Sequence, residues 1–143
     1  MLNKELIQNK IENIQNDLVI LGEFSSFAFD DFISDSRSYY ACERILEQII
    51  GRAIDVNQHI IVNKAKLETN APVEYRDTFL RLIELNVYSK EFGEKIANSA
   101  GLRNILVHEY DKIDPQIVYS SIADTLSEYT MYCGYILKYT EQN

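Results

Sequence analysis

Apolar residues near the start of the chain stand at Ile7, Ile11, Ile14, Leu18 and Leu21, in steps of four and three, with mostly polar residues between them. That rhythm places one narrow apolar seam along a helix, of the kind that packs in a bundle. A half-buried strand would need strict alternation instead. No Val/Ile/Thr-rich alternating run occurs anywhere, and 143 residues carry only two prolines and five glycines. The chain therefore reads as all-α.

Five helices are expected. The first spans roughly residues 3–21, with Gly22 as its stop. Residues 25–35 are mixed, and Phe27, Phe29, Phe32 and Ile33 need burial, on a short helical turn at most. A long second helix covers about 36–64, with a stripe of Leu46, Ile49, Ile50, Ala53, Val56 and Ile60. Asn70-Ala71-Pro72 punctuates the chain. A third helix over about 73–85 turns Tyr75, Phe79, Leu82 and Ile83 inward. Ser89 is a suitable N-cap for a fourth, which carries Phe92, Ile96, Ala97 and Ala100. Asp114-Pro115 opens the fifth, a capping carboxylate ahead of proline at the first helical position. Its stripe is Val118, Ile122, Leu126, Tyr129, Cys133 and Ile136. Short connections between amphipathic helices favour antiparallel neighbours, hence an up-and-down bundle. No repeat or linker divides the chain, so residues 1–143 read as one domain. Tyr119, Tyr129, Tyr132, Tyr135 and Tyr139 exceed what one core face can take, and a homodimer interface would use the surplus.

Composition removes several classes. No apolar run approaches the roughly 20 residues that span a bilayer, and the first residues lack a signal-peptide plan. A cytoplasmic location without membrane attachment is the default expectation. Cys42 and Cys133 lie far apart with no CxxC pattern, so both read as buried thiols. Zinc-finger spacing is absent, and no metal or other cofactor is expected. The net charge of −8 argues against strong non-specific binding to nucleic acid. A local basic cleft remains compatible with it, and so does a basic partner.

Chemistry concentrates at residues 103–110, Arg-Asn-Ile-Leu-Val-His-Glu-Tyr, which hold one of only two histidines. Arginine grips a phosphate with a planar fork of donors, and histidine moves protons near neutrality. Together they suffice for phosphodiester chemistry without a metal. On one ideal helix, however, Arg103 and His108 are about 140° apart. To meet at one phosphate, either the helix breaks between them, the arginine reaches around, or a symmetric partner supplies the second group. His59, among apolar neighbours, reads as a satisfied structural histidine. Glu43 and Asp55 read as partners for Arg44 or Arg52, and Glu109 and Asp111 as solvated carboxylates.

Arg103-x4-His108-x-Tyr110, with Gly101-Leu102 before it and residues 111–114 (Asp-Lys-Ile-Asp) after it, resembles the motif of the HepT-like HEPN ribonucleases. These are the toxin halves of HEPN/MNT toxin–antitoxin modules. Glu43-Arg44 and residues 55–61 (Asp-Val-Asn-Gln-His-Ile-Ile) resemble that family's second long helix. Tyr75-Arg76-Asp77 and Phe79 resemble its third.

The resemblance implies a five-helix, HEPN-like, homodimeric domain that cuts RNA without a metal, in a cleft between protomers. It also implies a nucleotidyltransferase antitoxin, with Tyr110 as acceptor of transferred AMP. The ribose 2′-hydroxyl would attack the adjacent phosphorus, leaving a 2′,3′-cyclic phosphate and a 5′-hydroxyl. His108 would transfer protons, Arg103 would stabilise the growing charge, and Asn104 would orient the phosphate. A nucleotide on Tyr110 would block and repel the substrate. The RNA target, tRNA or mRNA, is left open. The competing readings are a non-catalytic helical partner or regulatory subunit of a nucleotidyltransferase, and a homodimer in which the motif only packs.

Overall fold

The computed structural model describes residues 2–64, 74–108 and 113–143. They form seven helices and no strand: α1 (Lys4–Phe24), α2 (Phe29–Ser34), α3 (Ser36–Lys64), α4 (Tyr75–Glu84), α5 (Lys90–Ile96), α6 (Ser99–His108) and α7 (Pro115–Gln142). The expected fourth helix is two helices, α5 and α6, divided at Ala97-Asn98, and the short turn over residues 29–34 is α2.

Three long helices make the body. Hydrogen bonds and ion pairs between helices fix their directions. Asn3 meets His59, Lys10 meets Asp55 at 3.2 Å, and Asp17 meets Arg52, so α1 runs antiparallel to α3. Tyr119 at the start of α7 donates to Phe27 just past the end of α1, so these two are also antiparallel. The expected seams are the core. Ile7, Ile11, Ile14 and Leu21 of α1, Leu46, Ile49, Ile50 and Ile60 of α3, and Val118 and Ile136 of α7 are all nearly or wholly excluded from water. Burial of such faces is the main favourable term in folding.

Local chemistry sets the helix ends. Asn3 caps α1 through the Leu6 amide, Ser89 caps α5 through Phe92, and Asp114 caps α7 through Gln116 with Pro115 following it. Gly22 does not end α1, which continues to Phe24. The stop of α4 is Asn86, whose φ of 60° lies in the left-handed region. Asn86 N–H donates to the Ile83 carbonyl and Val87 N–H to that of Leu82, each at 3.0 Å. This paired closure satisfies two carbonyls that a helix end otherwise leaves bare.

Several side chains depart from expectation. Of the aromatic segment, Phe32 is buried and Phe29 half-buried, whereas Phe27 and Ile33 stay exposed. The tyrosines of α7 are taken up within the chain. Tyr129, Tyr132 and Tyr139 are buried, Tyr119 packs on Phe29 and Phe32, and Tyr135 packs on Tyr88 and Phe92. A surplus of aromatic surface therefore gives no argument for a dimer. Asp55 pairs with Lys10 rather than an arginine, Arg44 with Glu47 at 3.4 Å, and Arg52 with Asp17. Among the described residues, no helix is long and apolar enough to cross a membrane.

A buried polar relay crosses the core. Tyr132 of α7 donates to Asn57 Oδ1 at 2.6 Å, Asn57 Nδ2 donates to Thr78 Oγ1 at 3.1 Å, and Thr78 donates to the Tyr75 carbonyl at 2.7 Å. Asn57 and Thr78 are essentially inaccessible to water. Because every member has a partner, the relay ties α7, α3 and the first turn of α4 together without a stranded polar group.

Candidate active site

The site is built on α6, which is continuous from Ser99 to His108. Ala100 and Leu106 are its buried anchors, and Leu102, Arg103 and Ile105 are half-buried. Arg103 lies toward α3 and α4. A methyl group on Gly51 would stand 3.5 Å from its Nε, an ordinary contact, so the guanidinium lies beside α3. The guanidinium carbon stands 5.1 Å from the centre of the Tyr75 ring, within cation–π range. Arg103 Nε is buried and has no acceptor among the described residues. No carboxylate among them pairs with Arg103.

Asn104 is exposed and lines a groove of 580 Å³ with Tyr75, Arg76, Asn98 and Gly101. Arg76 is held along this groove by a 2.9 Å hydrogen bond to Asn98 Oδ1. His108 is exposed at the end of α6. Asn104 and His108 are four residues apart on one helix and so share a face. Beyond α6 a second groove, of 780 Å³, is lined by Tyr39, Tyr40, Glu43, Arg44, Leu106 and Val107 among others. Burial pushes the Glu43 carboxyl above its ordinary value there, and burial followed by the nearby Glu43 raises the Tyr39 phenol.

Of the expected site residues, the structure thus brings Asn104 and His108 onto one face. It sets Arg103 about 100° away from Asn104 by helix geometry. A break between Arg103 and His108 does not occur. Reach of the long arginine, or a second protomer, remains to unite them. Tyr110, Glu109 and Asp111 lie outside the described residues. His59 is half-buried, and its Nε2 accepts from the Asn3 amide at the start of α1, the structural role expected of it. Burial pushes the Cys42 and Cys133 thiols up to about 12.

Sequence reasoning missed Tyr75, which was expected inward but is 42% exposed and lies against Arg103.

An all-α bundle with Arg103, Asn104 and His108 on its sixth helix fits a class, the HEPN-type helical proteins. The sequence model described as Ribonuclease HepT-like matches residues 14–136. The chain belongs to that family. It is 34% identical to the tRNA nuclease HepT of Aphanizomenon flos-aquae over 142 residues, covering 96% of this chain and 95% of that protein. It is 25% identical to the mRNA nuclease HepT of Shewanella oneidensis over 136 residues, covering 92% and 96%. Among solved structures, the tri-AMPylated HEPN toxin of Shewanella oneidensis, in complex with its MNT antitoxin, superposes with a TM-score of 0.79. It shares 23% identity and covers 92% of this chain and 96% of that one, and the likeness shows the fold.

Proposed function

We propose that this chain is a metal-independent endoribonuclease toxin, a single HEPN-like domain over residues 1–143. In this reading it works as a cytoplasmic homodimer and is neutralised by a nucleotidyltransferase antitoxin that transfers AMP to Tyr110. The observation that carries the reading is Arg103, a half-buried cation stacked on a neutral ring, with a buried N–H free of any acceptor among the described residues, beside an open groove. No carboxylate among the described residues neutralises this guanidinium, and its terminal Nη groups, which are not among the buried unpaired atoms, suit a phosphate oxygen as partner. Nuclease relatives at full length, and a structural neighbour that is an AMPylated toxin bound to an antitoxin, support the same reading.

In the reaction, His108 takes the proton of the ribose 2′-hydroxyl as that oxygen attacks the neighbouring phosphorus. The bond from phosphorus to the 5′-oxygen breaks, and that oxygen receives a proton from the second histidine of the dimer or from water. The products are a 2′,3′-cyclic phosphate and a 5′-hydroxyl end. Arg103 neutralises charge that grows on the non-bridging oxygens, and Asn104, on the His108 face, orients the phosphate. The nucleophile belongs to the RNA, so no serine, cysteine or bound metal is required for this step. A chain of net charge −8 meets RNA through placed cations rather than a general positive field.

Separate Arg103→Ala and His108→Ala variants test the proposal. Each abolishes cleavage of total RNA in the presence of EDTA while the far-ultraviolet circular dichroism stays helical. Cleavage retained by both would end it. Coexpression with a nucleotidyltransferase adds AMP-sized mass increments in the wild type and none in Tyr110→Phe. Unmodified protein that is nonetheless silenced and tightly bound would favour a purely non-covalent antitoxin.

A further inference from the structure

We infer that Tyr75 is the positioning residue of this site, holding the Arg103 guanidinium in place for the scissile phosphate through its ring face. The inference rests on the ribonuclease reading and adds a residue to it. An arginine that must stabilise a transition state faces two demands. It has to be fixed, because a free arginine side chain carries about 2 kcal/mol of rotamer entropy. It also has to keep its charge, because a carboxylate that fixed it would offset the field needed at the phosphate.

A neutral ring meets both demands. Tyr75 stands 5.1 Å below the guanidinium carbon, and a phenol ring attracts a cation without neutralising it. Gly51 of α3 also lies near the guanidinium, where a Cβ on it would stand 3.5 Å from Nε. Arg103 makes no ion pair among the described residues, and its terminal Nη groups, unlike the buried Nε–H, are left for the substrate.

Tyr75 is itself held from the core. It is the first residue of α4, and its carbonyl receives the Thr78 hydroxyl at 2.7 Å. Thr78 in turn accepts from Asn57, which accepts from Tyr132. Three helices therefore set the position of the turn that carries the ring. Its own first-turn capping does not, since Glu74 makes no side-chain cap bond.

The test combines kinetics with a spectroscopic reading. Cleavage of a short single-stranded RNA is measured for the wild type, Tyr75→Phe, Tyr75→Leu and, as a second non-aromatic variant, Tyr75→Gln. The Arg103 Nε–H is followed by 15N NMR in each. Tyr75→Phe keeps kcat within about twofold, because the ring face remains. Tyr75→Leu and Tyr75→Gln lower kcat about 5- to 30-fold, the worth of a partly desolvated cation–π contact, with KM little changed. The Arg103 resonance, shifted by the ring in the wild type and Tyr75→Phe, moves toward the free-arginine position in the other two. Wild-type kcat in the non-aromatic variants, equal loss in Phe and Leu, or an Arg103 resonance indifferent to the ring would overturn the inference. A folded wild type that cuts no RNA would refute the ribonuclease reading instead, and the NMR comparison would then decide the contact alone.

Discussion

The buried relay makes an ordering of stabilities that simple bond counting would miss. Asn57, Tyr132 and Thr78 each make two side-chain hydrogen bonds, yet replacing Asn57 strands no one. In Asn57→Leu, Tyr132 retains the Ala53 carbonyl at 3.1 Å, and Thr78 retains the Tyr75 carbonyl at 2.7 Å. What remains is a near-isosteric swap in a packed core, about 1.5 kcal/mol or less. Tyr132→Phe removes a single hydroxyl, but leaves Asn57 Oδ1 dry and without a donor. Thr78→Val does the same to Asn57 Nδ2–H. An unsatisfied buried polar group costs about 1–3 kcal/mol. The two outer variants should therefore be the less stable ones, by midpoints about 3–4 °C lower per kcal/mol for a chain of this size.

The double variant Asn57→Leu/Tyr132→Phe sharpens the argument. It deletes both ends of the bond, so no orphan remains, and it should be more stable than Tyr132→Phe alone. The double-mutant cycle should return a coupling of at least about 1 kcal/mol. Urea denaturation followed by circular dichroism, at one fixed protein concentration because association shifts apparent stability, measures all four corners. A neutral Tyr132→Phe, or a double variant as unstable as the sum of its parts, would refute the bonding scheme.

Further outcomes follow from other sites. Gly93→Ala should destabilise by about 1–3 kcal/mol, because the new methyl would stand 2.4 Å from Ile83 Cγ1 and 2.9 Å from Tyr88 Cε1; a thermal melt unchanged from wild type would contradict the α4–α5 packing. Gly51→Ala should be neutral or stabilising by up to about 1 kcal/mol, whereas Gly51→Leu pushes Arg103 from its seat and lowers cleavage as Tyr75→Leu does, with equal effects from both refuting the cradle. Cys42 and Cys133 are raised by burial to about 12 in the fold from ordinary values near 9.0, so the unfolded chain loses these protons first and stability falls as pH climbs from 9 toward 12; urea midpoints flat across that window would be the contrary result. If each catalytic centre takes arginine from one protomer and histidine from the other, mixing inactive Arg103→Ala and His108→Ala proteins should recover about a quarter of wild-type activity by random pairing, and no recovery would assign both groups to one subunit.

How much of this was legible in the chain depends on the range of the physics involved. The seams were readable because helical periodicity is local and the core is built from it; Ile7 to Leu21 and Leu46 to Ile60 fell where the spacing put them. Caps were readable for the same reason, at Ser89 and at Asp114-Pro115. Gly22 misled because a glycine ends a helix only where the backbone turns left-handed, and that turn was made at Asn86 instead. Partners were not readable: Asp55 with Lys10, and Asp17 with Arg52, depend on the relative rotation of α1 and α3, which the composition of neither helix specifies. The site divides the same way. Arg103, Asn104 and His108 fall within six consecutive positions, so the motif exposed them, but the support beneath them is distributed over Gly51, Tyr75, Thr78, Asn57 and Tyr132. Read singly, each of those is an unremarkable helical residue. Tyr75 even fitted the apolar stripe of its helix, and only the crossing of α6 over α3 and α4 distinguishes a tyrosine that fills a core from one that steadies a cation.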